Sequence, residues 1–199
     1  MRSASRPLAV LALAAALPLA GCILEDDSDR RPIVNETIVY NSGIQSEVFV
    51  FDGRLVDYYL DGLEDQQGSF LYETDALTAD VTNAGLVMLY VDAIAIDPDA
   101  REGTWTALPL TFGIDSDPDG DGPEVPDGLV DFTTTLGYSL EPGFLYVDTI
   151  ASTQLQDGFD YLGRLNMRLV TIPPGEFLRA EGLDFTDYEA VQRFYGLPN

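Results

Sequence analysis

Beyond residue 33, apolar and polar positions mostly alternate, or apolar residues form short runs bounded by Gly, Pro, Asp or Asn. Alternation with a period of two is typical of β-strands that bury one face. The pattern predicts strands over residues 37–41, 47–60, 69–73, 85–96, 103–113, 129–138, 144–151 and 164–172. Asp52 and Gly53 interrupt the second of these strands, and the pair fits either a tight hairpin turn or a β-bulge.

One segment near the C-terminus has helical spacing instead. Tyr188, Val191 and Tyr195 lie at i, i+3 and i+7, which places them on one face of a helix. An S/T-x-x-E capping box at 186–189 begins this helix, and the GLP sequence of 196–198 ends it. We expect its apolar face to cover an open end or edge of a sheet.

Many short strands followed by one helix predict a mostly β fold, either an antiparallel β-sandwich or an open barrel, with one short C-terminal helix. A chain of 199 residues suits one such domain. We assign this domain to residues 33–199.

The first 21 residues have the pattern of a signal peptide. Arg2 and Arg6 precede an apolar run over 8–19, which is too short to span a bilayer. Residues 19–22 read LAGC and resemble the bacterial lipobox. The resemblance implies cleavage before Cys22, which then carries a diacylglyceryl group and a fatty acyl chain such as palmitate.

Residues 22–32 combine acidic residues with a closing proline and have no apolar period, which predicts an acidic, flexible tether. Together with the leader, the tether predicts a protein of the cell envelope. Cys22 would anchor it to the outer membrane, on the periplasmic or the external side, because two or more acyl chains give lasting membrane attachment.

The chain is strongly acidic, with 34 Asp and Glu residues against ten basic ones and a formal net charge of −24. Removal of residues 1–21 takes away two of the ten basic residues and makes the charge more negative still. A field of that sign repels phosphate groups, so we expect no nucleic-acid partner.

All ten basic residues are arginine, and the chain contains no histidine and no lysine. Ser-His-Asp and Cys-His machinery, histidine zinc sites, Schiff bases and Walker A loops are therefore excluded. Carboxylate chemistry remains, either as a glycosidase pair or as oxygen ligands for a divalent cation. We predict that the protein is not an enzyme.

Residues 115–128, DSDPDGDGPEVPDG, match the first half of the D-x-D-x-D-G calcium loop. Pro126 stands where an EF-hand requires a bidentate Glu, so an EF-hand is excluded. The segment still fits a looser calcium site, with ligands from Asp115, Asp117, Asp119, Asp121 and Asp127. The alternative is a solvated acidic hairpin tip.

Trp105, the single tryptophan, lies in the segment GTWTALPL among alternating apolar residues. This context favours a core position, whereas an exposed tryptophan would instead suit stacking on a sugar ring. The second possibility belongs to an alternative function, a calcium-stabilised carbohydrate-binding module.

Four segments, at residues 85–94, 103–114, 137–152 and 164–175, resemble the small uncharacterised lipoproteins that are common in the Bacteroidetes group. This resemblance implies a secreted or surface β domain and specifies no reaction. We therefore expect a lipid-anchored envelope protein with a non-enzymatic binding or structural role. A carbohydrate-binding module and a carboxylate-only glycan hydrolase are the alternatives.

Overall fold

Two five-stranded antiparallel sheets make up the fold in the computed structural model, which describes residues 34–39, 43–59, 65–97, 99–114, 131–154 and 158–197. The strands are β1 (Val34–Val39), β2 (Gln45–Asp52), β3 (Asp57–Tyr59), β4 (Gln66–Glu73), β5 (Leu86–Asp92), β6 (Trp105–Ala107), β7 (Leu110–Ile114), β8 (Phe132–Glu141), β9 (Phe144–Ala151) and β10 (Arg164–Ile172). The helices are α1 (Ala79–Ala84), α2 (Pro174–Phe177) and α3 (Tyr188–Tyr195).

The first sheet has the order β1-β2-β10-β5-β6, and the second has the order β3-β4-β9-β8-β7. The inner faces of both sheets supply one apolar core, in which Phe49 of β2 stacks on Tyr72 of β4 with ring centroids 4.0 Å apart. Leu89 of β5 and Leu145 of β9 are fully buried in the same core. The predicted mostly β fold is confirmed as a β-sandwich, and the sheets do not close into a barrel.

The burial pattern along each strand reflects what covers its outer side. Side chains of β9 alternate between buried and more exposed positions, because only one face of the second sheet is packed. In β5 and in the second half of β10, nearly all side chains are buried. These two strands lie in the middle of the first sheet, whose outer face packs against α3.

The Asp52–Gly53 pair forms neither the hairpin turn nor the bulge that its sequence fits. Gly53 begins a 3-10 turn, Gly53–Leu55, through which the chain leaves β2 in the first sheet and enters β3 in the second. A Cβ atom on Gly53 would lie 2.1 Å from the backbone oxygen of Phe159, so only glycine fits this corner.

Asp52 fixes the same corner by accepting hydrogen bonds from the backbone N–H and the side chain of Arg54. Its carboxylate also lies 3.7 Å from the guanidinium of Arg164. The hydrogen bond from the Arg54 side chain lowers the pKa of Asp52, and the Arg164 charge adds to this effect.

The strand predicted over residues 103–113 is two strands in different sheets. β6 pairs with β5 in the first sheet, whereas β7 pairs with β8 in the second. The Leu108–Pro109 peptide bond between them is cis, and Pro109 has no N–H group with which to continue a ladder. Strands 144–151 and 164–172 match β9 and β10 in their bounds.

The C-terminal helix α3 is present, but its N-cap differs from the predicted capping box. Asp187 is the N-cap, and its carboxylate accepts from the N–H of Ala190 at 3.0 Å. Thr186 instead donates its backbone N–H and its hydroxyl to Asp184. Asp187 therefore caps the helix in place of Thr186. Gly196 ends the helix in the left-handed conformation, as expected.

Helix α3 lies on the outer face of the first sheet, beside the edge strand β6, with Tyr188 and Val191 buried. Two further helices, α1 and α2, were not expected from the sequence and span only six and four residues. Of these helices, α3 covers the outer face of the first sheet, whereas Val81 of α1 belongs to the core between the two sheets.

Candidate functional site

The residues predicted to carry chemistry lie outside the described part of the chain. These are the lipidation residue Cys22 and the calcium ligands Asp115, Asp117, Asp119, Asp121 and Asp127. The signal peptide, 1–21, and the tether, 22–32, also lie outside it. Within the described residues, no group of three or more His, Cys, Asp or Glu side chains is placed to hold a metal ion.

The two ends of the aspartate-rich segment are described and lie side by side. Ile114, the last residue of β7, is the register partner of Phe132 in β8. The N–H of Asp131 donates to the oxygen of Ile114 at 2.9 Å. The segment therefore connects two adjacent antiparallel strands, as its position between two predicted strands suggested.

The outer face of the first sheet is packed against other residues, whereas that of the second sheet is largely exposed. The first sheet packs against α3 and the segment around it, which form a second apolar cluster with Tyr90, Val170 and Ile172. On the second sheet, the outward side chains of β4, β8 and β9 are exposed or half-exposed. We call this surface the open face.

Apolar side chains form a strip along the open face. Phe144 and Ile150 of β9 are 36% and 41% exposed, and Leu71 of β4 is 43% exposed. The half-buried Tyr146 lies between the two β9 residues on the same side and is the register partner of Leu71. Neighbouring exposed apolar side chains of this kind mark binding surfaces more often than isolated ones do.

Hydroxyl groups and one carboxylate lie beside this strip. Thr111 and Thr135 share a hydrogen bond between their hydroxyls at 2.8 Å. The hydroxyl of Ser69 donates to Asp148 at 3.3 Å, which leaves further acceptor positions on this carboxylate. The open face therefore combines an aromatic ring, aliphatic side chains and hydrogen-bonding groups.

Gly137 of β8 has no side chain and leaves a gap between its neighbours on this surface, which we call the depression. It is the register partner of Asp148, and a Cβ atom added to it would meet no atom within 4 Å. The depression is bordered by Thr135 and Ser139 along β8 and by Tyr146 and Asp148 on β9. Such a depression can accept a small ring that contacts Tyr146 while its polar groups reach Asp148.

Two carboxylates, Asp57 of β3 and Asp148 of β9, flank Ser69 of β4 across three neighbouring strands of the second sheet. Two strand spacings separate their backbones by about 10 Å, near the upper end of the separation used by inverting glycosidases. Asp57 is exposed and Asp148 is half-buried.

Trp105 is not part of an exposed aromatic platform. The guanidinium of Arg168 lies over its ring at 4.6 Å from the centroid, and the ring of Tyr188 packs beside it at 6.1 Å. Arg168 is buried and donates a hydrogen bond to the hydroxyl of Tyr188. The tryptophan thus belongs to the apolar layer beneath α3, as its sequence context favoured.

No known protein family, curated protein or solved structure matches this chain. None of the helices in the described residues is long and apolar enough to cross a lipid bilayer. The resemblance of the sequence to envelope lipoproteins therefore stays a prediction.

The sequence of β9 contains a signal for the open face. In β9, FLYVDTIA, the inward positions are Leu145, Val147, Thr149 and Ala151, all of which are buried. The outward positions then hold Phe144, Tyr146 and Ile150 as well as Asp148. Three large apolar residues on the supposedly solvated side of a strand indicate a surface that contacts something other than water.

Proposed function

We propose that the protein is a lipid-anchored protein of the bacterial cell envelope that binds a ligand through its open face and catalyses no reaction. The observation that carries the binding role is the strip of Leu71, Phe144, Tyr146 and Ile150 beside hydrogen-bonding groups. The anchor rests on the LAGC sequence of residues 19–22. Net charge and the lack of histidine and lysine support a partner other than nucleic acid and a role other than common catalysis.

Lipid attachment is tested by expressing the full chain and its Cys22→Ser variant in a Gram-negative host that is fed labelled palmitate. We expect label and outer-membrane fractionation for the native chain, and neither for the variant. A native chain that stays unlabelled, or a variant that remains equally membrane-bound, would contradict the anchor.

A calcium-stabilised carbohydrate-binding module is the more specific form of this function. The depression at Gly137 favours it, because an aromatic ring beside a carboxylate and hydroxyl groups is suited to a sugar ring. In this form, the open face holds the sugar and Asp115, Asp117, Asp119, Asp121 and Asp127 bind calcium.

A glycan array probed with and without calcium tests this form. Tyr146→Ala should abolish any binding that depends on the open face. Phe194→Ala is the matched control, since Phe194 is an aromatic residue 52% exposed on α3, away from the open face. Equal loss in both variants, or no loss in either, would argue against a glycan site on the open face.

A carboxylate-only glycan hydrolase is the remaining alternative, and Asp57 with Asp148 is the pair that the second sheet brings together. If the array identifies a bound glycan, prolonged incubation followed by product analysis distinguishes binding from hydrolysis. Release of products that Asp148→Asn abolishes would replace the binding role by a catalytic one.

A further inference from the structure

A polar pocket lies between the turn that precedes β6 and helix α3, on the helical side of the sandwich, away from the open face. Its volume is about 420 Å³, within the range of small-molecule sites. The turn contributes Arg101, Glu102 and Thr104 to the walls, and the helix contributes Glu189, Gln192 and Arg193.

Both walls are held in place by contacts of their own. Within the turn, Thr104 donates its N–H to the oxygen of Arg101 at 3.1 Å, and its carbonyl accepts from Ala93 at 2.9 Å. The helix is fixed by Tyr188 and Val191, which are 3% and 0% exposed. The pocket is therefore formed without a ligand, which lowers the entropic cost of binding.

The two arginines of the pocket differ from the other arginines of the described chain. Arg54 and Arg164 pair with Asp52, and Arg179 pairs with Glu176. Arg168 is buried against the ring of Trp105. These four positively charged side chains therefore have a partner within the fold.

Arg101 and Arg193, by contrast, form no ion pair with any described residue. Glu189 precedes Arg193 by one helical turn, yet the two side chains do not approach within ion-pair distance among the described contacts. In a chain with 34 acidic residues, these two arginines of the described part line the same pocket.

We propose that this pocket binds an anionic sugar through its carboxylate, as found in uronic acids. The planar guanidinium groups of Arg101 and Arg193 suit a carboxylate, with which arginine forms paired hydrogen bonds. Thr104, Gln192 and the two glutamates can donate to or accept from the hydroxyls of the same molecule.

The walls hold two arginines and two glutamates, so an anionic group must contact the guanidinium groups and lie away from the glutamate carboxylates. The net charge of the protein repels any anion at long range, so an anion is retained only by groups that contact it directly. A neutral sugar could accept hydrogen bonds from the two guanidinium groups but would lack the charge-assisted pairing that a carboxylate adds. An apolar ligand would have to desolvate all six polar side chains of the walls.

Titration of the exported protein, purified in detergent, with D-glucuronate at constant ionic strength tests the proposal. Trp105 follows Thr104 directly in the chain, so its fluorescence reports on the turn, and calorimetry provides a second signal. D-glucose is the control for charge, since it is a neutral sugar of the same ring type. Acetate is the control for the hydroxyls, since it carries a carboxylate alone. We expect saturable binding of glucuronate at least about tenfold tighter than that of either control.

Arg101→Gln combined with Arg193→Gln should weaken glucuronate binding by about tenfold or more. Arg179→Gln is the matched control, because Arg179 is an exposed arginine outside the pocket, and it should leave binding unchanged. Melting temperatures establish that each variant is folded, and the two single variants should each show a partial loss. Absence of saturable binding, equal binding of glucose or acetate, or an unaffected double variant would each overturn the proposal.

Discussion

Substitution of Asp52 by Asn tests the corner through which the chain passes from the first sheet to the second. Asparagine keeps the size of the side chain and an oxygen that can accept from the N–H of Arg54. It removes the negative charge that faces Arg54 and Arg164. A comparison with Asp52→Ala, which also removes the hydrogen-bond acceptor, separates the charge from the cap.

The expected magnitude follows from the exposure of the two arginines, whose side chains are 61% and 58% exposed. Solvent screens such pairs, so the charge of Asp52 contributes little to stability. Loss of the charge should therefore lower the free energy of unfolding only slightly. Loss of the capping acceptor adds roughly 1 kcal/mol, and each kcal/mol corresponds to about 2–4 °C in melting temperature for a domain of this size.

The pH dependence provides the sharper measurement. The folded pKa of Asp52 is lowered by the hydrogen bond from the Arg54 side chain, so the stabilisation is fully present above the unfolded pKa of about 3.9. It is lost as the pH falls through the folded pKa. Urea unfolding, followed by Trp105 fluorescence, should give the same difference between native and Asp52→Asn proteins at pH 7 and 5, and a smaller one at pH 3. A difference that persists unchanged at pH 3 would refute the reasoning.

Three further measurements test other parts of the structure. Gly68→Ala should lower the free energy of unfolding by about 1–3 kcal/mol, because its Cβ would lie 2.5 Å from the side chain of Val56. Gly137→Ala is the control and should change stability little, because a Cβ there meets open space. Equal effects of the two substitutions in urea unfolding would contradict the packing at Gly68. At low salt, a calcium concentration tenfold above a submillimolar Kd should stabilise the native chain by about 1.4 kcal/mol. It should not stabilise a variant in which the aspartates in 115–119 are replaced by asparagine. Equal melting temperatures with calcium and with a chelator would contradict the calcium site. Burial raises the pKa of Tyr72 and of Tyr90. Their contribution to stability is therefore fully present below the unfolded pKa of about 10 and is lost as the pH rises further. Phenolate absorbance of these tyrosines should appear only on unfolding, and ionisation near the usual pKa in the folded protein would argue against their burial.

The strands could be predicted from sequence because most of them obey a local rule. In β9, side chains alternate between core and surface, and this alternation is visible in FLYVDTIA itself. The same rule cannot say which strands share a sheet, because β2 and β3 form one apolar segment that enters two sheets at Gly53. Glycine is required at that corner because of the backbone of Phe159, which lies far away in the sequence.

The candidate surface could be predicted only in part, for the same reason. Alternation places Tyr146 and Asp148 on one side of β9, but only strand order places Gly137 and Ser69 beside them. The pocket at Arg101 and Arg193 likewise depends on α3 packing next to the turn before β6. Local patterns therefore indicate which side chains are outward, and long-range pairing decides which of them meet.

The central strand of the first sheet is also the last strand along the described part of the chain. β10 lies between β2 and β5, which have no other link within that sheet. The sheet cannot assemble until residues 164–172 are free to pair with β2 and β5. Pairing of segments that lie so far apart in the sequence is slow. If the leader directs export as we propose, the order of strands would keep the polypeptide unfolded during translocation and delay folding until nearly the whole chain has reached the far side of the membrane.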